Sequence, residues 1–371
     1  MIRTNAREAS RQHSAHSDSP HSDSPHNDSP HSDSPPPDSP RSDSPPPASR
    51  LHLRLGLAVI AAIDLASVAV QVATTAAGPR SHPLAPELLL APGNNPLLVA
   101  ALALPGLFAL LGFARAWHPL RSGLLALLSL ALLNESHAAL VHGPSRPYFF
   151  SGALLLGWSA GTLLSRLLHR HNPPSLARDE RLAEAAALGT LAAIYTGAGL
   201  SKLLHTGVSW ADQHTLRAIV LAHHRIDDTS LTGTYAQFLA ARPLLSQVFA
   251  TLTLVVQLGA PLMLIGPRLR AAWGLLLLGF HVQVTLLTGI GYLQAKLLVP
   301  LFTLPWPTLL ARLRRRPLPA DPSLPAPPHT RRLLALTALT LALLTALVYL
   351  SPLRRYTDLH HAERGRERPA N

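Results

Sequence analysis

The chain has 371 residues, of which 14% are charged and 47% hydrophobic, and its formal net charge is +12. Its apolar residues gather in long blocks instead of alternating with polar ones, and about eight or nine of these reach the ~18 residues that cross a bilayer. That pattern excludes a soluble enzyme, and the heavy use of leucine and alanine argues against a β-barrel. The expected fold is all-α, a polytopic transmembrane helix bundle embedded in the lipid bilayer. Cysteine is absent, which excludes disulfides, thiol catalysis and Cys-ligated metal sites.

Residues 1–50 form a region of their own. From Ser17 a Ser-Asp-Ser-Pro unit recurs every five residues, with almost no apolar side chain and with prolines that forbid regular structure, so a disordered tail is expected. His16, His21, His26 and His31 follow the same period, but nothing there fixes a ligand geometry, and a solvated arm is the expectation over a metal site. A cleavable signal peptide is not expected, because its apolar segment would begin closer to the N-terminus.

The spans expected from the apolar blocks are Leu55 to Ala77, Pro96 to Ala114, Gly123 to Val141, Phe149 to Leu168 and Ala183 to Leu204. A more polar connection follows from His205 to Arg242. Further spans are expected over Leu244 to Ile265, Ala271 to Leu287, Tyr292 to Leu310 and Leu333 to Leu350. Around Thr288-Gly289-Ile290-Gly291 the pattern fits two short spans or one long broken one. The chain thus divides into the tail at 1–50, a membrane domain at 51–310, and a basic, Pro-rich segment with a last span at 311–371.

The positive charge sits at the ends of the blocks, at Arg54, Arg115, Arg121, Arg166, Arg170, Arg268, Arg270 and Arg312 to Arg316. This is the pattern of topology determinants beside an anionic membrane, and no nucleic-acid partner is expected. Counting arginines in the short loops places the N-terminus in the cytoplasm and the connection after Lys202 on the opposite side. Nine spans leave the C-terminal tail, with Arg354 and Arg355, outside against that rule. Trp117, Trp158, Trp273 and Trp306 are expected as interface anchors.

Against 30 arginines the chain has two lysines, Lys202 and Lys296, both in or at the end of apolar blocks. Arginine stays protonated, whereas a desolvated lysine amine can act as a base, so a lysine kept at such a place is a candidate functional group. Snorkelling to the interface is the competing explanation, and more so for Lys296. Lys202 lies in Tyr195-Thr-Gly-Ala-Gly-Leu-Ser-Lys202-Leu, with Trp210 eight residues on. Tyr195, Gly199 and Lys202 share one helix face at i, i+4 and i+7. The small Gly197, Ala198 and Gly199 let a neighbouring helix or a flat ligand approach.

His281 falls in mid-span, where an imidazole serves equally as a proton relay or as a polar bridge between helices. Asp64 in the first span is expected to face the bundle, in an interhelical hydrogen bond or in catalysis. Asn134-Glu-Ser-His137 places Glu135 and His137 two apart, which do not share a helix face, so a turn or cavity rim is expected. His223 and His224 are adjacent and diverge on a helix, and no set with metal-ligand spacing is found.

A span ending Tyr-x-x-Ala-Gly-x-x-Lys-Leu with a following Trp resembles the horizontally transferred transmembrane (HTTM) domain, the membrane core of vitamin K-dependent gamma-carboxylases and bacterial relatives. A second stretch carries the likeness further: Gln257-Leu-Gly-Ala-Pro-Leu, Pro267-Arg268-x-Arg270, Gly279-Phe280-His281-Val-x-Val and Gly289-x-Gly291-Tyr292. The resemblance runs from about Leu53 to Pro307. It implies Lys202 and His281 as catalytic residues, with Lys202 as the base that deprotonates a reduced quinone of the vitamin K type. Tyr195, Gly199, Trp210, Gln257 and Tyr292 would line the substrate site. It also implies an active site facing away from the cytoplasm, in a bacterial cytoplasmic membrane.

The carboxylases add a large extramembrane domain that grips their protein substrate, whereas about twenty residues follow the last span here, and Gln257 stands where many relatives have a carboxylate. Only His137 and His142 lie where the family has an additional histidine. A quinone-like or lipidic substrate is therefore expected over a protein one. The alternative is a non-enzymatic bundle for binding, transport or immunity, with Lys202 paired to a buried acid; a single candidate break disfavours transport.

Overall fold

The computed structural model describes residues 50–74, 96–140, 149–171, 173, 175–224 and 228–313. Eleven α-helices occupy them: α1 Leu51–Thr74, α2 Pro96–Ala114, α3 Pro119–Leu140, α4 Phe149–Leu168, α5 Leu176–Thr206, α6 Gln213–His223, α7 Leu231–Ala240, α8 Pro243–Leu258, α9 Pro267–Thr288, α10 Leu293–Thr303 and α11 Trp306–Leu313. Short 3₁₀ turns follow α5 and α8, and no strand occurs among the described residues. The 1–50 tail, His142 and the expected span at 333–350 lie outside them.

Four helices, α1, α2, α5 and α9, are long and apolar enough to cross a bilayer, and a fifth span arises if α7 and α8, bent by 102°, count as one. This is a multi-pass integral membrane protein, with Leu97, Phe108 and Leu244 among the large apolar side chains on its outer surface. α3 and α4 are continuous helices of 22 and 20 residues. Arg121 and the Asn134-to-His137 run shorten the apolar part of α3, while glycine, serine and Trp158 dilute that of α4.

The helix ends follow local chemistry. Pro243 and Pro267 open α8 and α9 at the position where no amide hydrogen is needed. α9 stops at Gly289, whose φ of 69° is left-handed and open to glycine. Gly289 and Tyr292, with φ of 38°, turn the chain into α10, so the 288–291 segment joins two helices and is not a break in one span. Asn134-to-His137 corrects another expectation: it lies inside α3, where Asn134 Nδ2 donates to Leu130 O at 2.9 Å and Ser136 Oγ to Leu132 O at 2.8 Å. Polar groups that bond back to their own helix need no turn.

α4 and α5 pack closely against each other. A Cβ on Gly161 would stand 2.5 Å from Leu182 O, and one on Gly157 2.3 Å from Thr190 Oγ1, so two small residues four apart let the backbones meet. Trp158, between those glycines, is fully buried against Phe113 and Phe302 at 5.8 and 6.4 Å between ring centroids. It is a core residue and not an interface anchor, because its ring packs among aromatic side chains from α2 and α10.

Ion pairs gather one end of the bundle. Arg54 of α1 pairs with Glu180 of α5 and donates from Nε to Ala114 O at the end of α2, 3.1 Å away. Glu184 joins Arg50 to Arg270 of α9, and Asp179 takes Ser165 Oγ at 2.6 Å and Arg166 at 3.3 Å from the end of α4. Arg54, expected as a loop charge, is thus buried in an ion pair. The opposite end holds the ends of α5 and α9 and the start of α10. There, α6 and α7 form a small apolar cluster with Leu287 of α9. The connection at 205–242 is therefore mostly helical.

Candidate functional site

Tyr195, Gly199 and Lys202 lie along about the last three turns of α5, and His281, Gln257 and Trp210 pack against them. Tyr195 Oη and His281 Nε2 are 2.6 Å apart, joining α5 to α9, and both side chains are buried. A neutral imidazole engaged through one nitrogen leaves the other with a proton or a lone pair to offer. His281 Nδ1 is buried with no hydrogen-bond partner among the described residues. Aromatic rings surround the pair: Phe150 lies 6.1 Å from Tyr195, and Phe280 and Tyr292 lie 5.1 and 5.7 Å from His281 between centroids. Tyr292 is 40% exposed, so it stands at the edge of this group.

Lys202 lies seven residues beyond Tyr195 on the same face, about 10 Å along the helix axis. It is half-buried; Nζ donates to Ala198 O at 3.4 Å and stands 5.1 Å from the centroid of the Trp210 ring, a cation–π contact. No carboxylate ion-pairs with Lys202 among the described residues. Trp210 is held back over α5 by the 3₁₀ turn Gly207–Ala211, and its indole Nε1 is buried without a partner among the described residues.

Between the two poles Gln257 of α8 packs on Gly199, where a Cβ would meet Leu258 Cγ at 3.0 Å and Gln257 Cβ at 3.1 Å. The small face of Gly199 thus admits a helix. Gln257 Oε1 is buried and has no partner among the described residues. The stripe from His281 to Trp210 therefore carries three buried polar atoms, Nδ1, Oε1 and Nε1, without partners among the described residues, beside aromatic rings and one amine. Such a set suits a flat ligand with oxygen atoms.

Lys296 belongs here as well. Its Nζ donates to Thr285 Oγ1 at 3.2 Å, and Thr285 donates to His281 O at 2.9 Å, so the second lysine stands one helical turn from the imidazole. Its rarity was the available signal; its contact with α9 arises only from the turn at Gly289. The ring contact of Phe150 had no sequence signal. At the nearby cap, His224 bridges Asp228 Oδ2 at 2.8 Å and Leu287 O at 2.9 Å. Hydrogen bonds from Ser230 and His224 hold the Asp228 carboxyl down to about 2. No protein-family model, curated protein or solved structure matches the chain.

Proposed function

We propose that the chain is an HTTM-type protein of about eight or nine spans whose site acts on a membrane-soluble aromatic diol, a reduced quinone, with Lys202 as the base. One observation carries this reading: the Lys202 amine faces the Trp210 ring and a backbone carbonyl, with no carboxylate ion-paired to it among the described residues. A lysine kept to pair with a buried acid would have its counter-ion beside it. An amine over an aromatic surface, out of bulk water, is instead placed to take a phenolic proton.

In this reading the diol ring lies along the α5 face. Lys202 Nζ accepts the proton of one hydroxyl. His281, oriented by Tyr195, offers Nδ1 to a ligand oxygen, and Gln257 offers its side-chain oxygen to a donor. Trp210 and Tyr292 supply apolar faces to the ring. Oxygen would then convert the deprotonated diol to an epoxide and water. With the N-terminus cytoplasmic, the site faces away from the cytoplasm of a bacterial inner membrane.

The test is epoxide formation from a reduced naphthoquinone and oxygen by the protein in lipid. Lys202→Arg keeps the charge and removes the base. Turnover is expected to fall by about 10²–10⁴-fold while thermal unfolding is unchanged. Equal turnover in the variant removes Lys202 from the chemistry. Wild-type protein without turnover favours the non-enzymatic alternative.

A further inference from the structure

At the ionic end of the bundle, Asp179, Glu180 and Glu184 are all engaged. Asp179 takes Ser165 and Arg166, Glu180 takes Arg54, and Glu184 takes Arg50 and Arg270. Three further arginines stand at the corner where α4 passes into α5: Arg170, Arg178 and Arg181. None of the three ion-pairs with a carboxylate among the described residues. Arg170 and Arg181 are exposed, and Arg178 is half-buried. Two of them are fastened to the connection between the helices. Arg170 Nε donates to His171 Nε2 at 3.0 Å, and an Arg178 terminal nitrogen donates to Pro173 O at 3.2 Å. A guanidinium held by one nitrogen keeps further N–H groups to donate.

The surface beside these arginines is apolar. Leu163, Arg166, Leu167 and Arg170 recur at i, i+3, i+4 and i+7, so one face at the end of α4 passes from leucine to arginine. All four are exposed, as are Leu168 and Leu176 on either side of the connection. Arginines beyond an exposed leucine face, at the end of a membrane bundle, match the step from acyl chains to headgroups. A soluble anion would leave the leucines uncovered, and acyl chains alone would leave the arginines without a counter-charge.

We propose that the α4–α5 corner binds an anionic phospholipid, with its phosphate held by Arg170, Arg178 and Arg181 and its acyl chains lying on Leu163 and Leu167. The arginine fork donates parallel N–H groups to phosphate oxygens, which suits it to this headgroup. The surplus of positive charge favours a headgroup with net negative charge, because a zwitterionic lipid brings its own ammonium beside the phosphate. This surface lies at the start of α5, whereas Lys202 lies near its end. The inference therefore does not depend on the hydroquinone reading.

The experiment offers the full chain in detergent an equimolar mixture of phosphatidylglycerol and phosphatidylcholine with matched acyl chains, and reads the bound lipids by native mass spectrometry. Wild-type protein is expected to enrich phosphatidylglycerol about 10-fold, the scale of two arginines at an anionic surface. Arg170→Gln with Arg178→Gln brings the ratio close to unity. Arg268→Gln removes an exposed arginine at the start of α9 and leaves the ratio unchanged. No enrichment in wild type, or an unchanged ratio in the double variant, overturns the proposal. An equal loss in Arg268→Gln also overturns it, because net charge and not this corner then attracts the lipid. Inorganic phosphate that abolishes the enrichment, where chloride at the same ionic strength does not, reassigns the arginines to a soluble anion. If the double variant does not fold, Arg170→Gln with Arg181→Gln, both at exposed positions, decides by the same ratio.

Discussion

The two ends of the bundle handle buried polarity in opposite ways. At the end built from the starts of α1, α5 and α9, the carboxylates of Asp179, Glu180 and Glu184 all meet arginines from other helices. At the other end, among the described residues, His281 Nδ1, Gln257 Oε1 and Trp210 Nε1 are buried without partners and Lys202 has no carboxylate ion-paired to it. Paired charges lock helices together, whereas a buried polar atom left unpaired carries a desolvation cost.

Breaking the ionic end should produce the largest effect. Glu180→Gln leaves the Arg54 guanidinium buried without its counter-charge, since both side chains are about 5% exposed or less. Thermal or denaturant unfolding in detergent should show a loss of about 3–5 kcal/mol. A loss near zero would mean that this end contributes orientation and no stability.

A pair of glycines sharpens the contrast. Gly161→Ala drives a methyl into the Leu182 carbonyl, a backbone atom that cannot rotate away, and should cost about 1–3 kcal/mol in the same assay. Gly199→Ala meets only the side chains of Leu258 and Gln257. Its stability loss should be smaller, while hydroquinone affinity drops because Gln257 is displaced. Equal stability losses at the two positions would erase the distinction between seam and site.

The smallest effect is expected at the cap. The Asp228 carboxyl is held down to about 2 by Ser230 and His224, below the ordinary carboxylate value of about 3.9. A lowered folded-state value adds stability that is fully present above about pH 4 and is lost as the pH falls toward 2. Hydrogen exchange in α6 and α7 should therefore quicken over that window. Asp228→Asn should show the quickened exchange already at pH 5, and an acid response identical to wild type would remove Asp228 from the cap.

Much of this arrangement is written in short stretches of chain. The apolar blocks placed the helices α1, α2, α4 and α9 to within a few residues, because runs of leucine and alanine favour helix; of these, α1, α2 and α9 are long and apolar enough to cross a bilayer. The stripe of Tyr195, Gly199 and Lys202 was visible for a related reason, since helical period alone puts them on one face. The turn expected at Asn134 to His137 failed for a local reason, since those side chains bond back to their own helix, whereas the other misses involve distant partners. Trp158 was placed at an interface because nothing nearby in the chain shows that Phe113 and Phe302 pack against it. Glu180 and Glu184 drew no notice, because their meaning depends on arginines more than 80 residues away in the chain.

Composition and local pattern were enough to establish a helical membrane protein, the place of its longest spans, and an unusual lysine on a face of small residues. These follow from hydrogen bonds within a helix and from the cost of exposing apolar surface, both of which act over a few residues. Tertiary packing alone decided that Tyr195 meets His281 and that Lys296 comes to Thr285. Those contacts join helices far apart in the chain, and only the packing of the bundle brings them within reach.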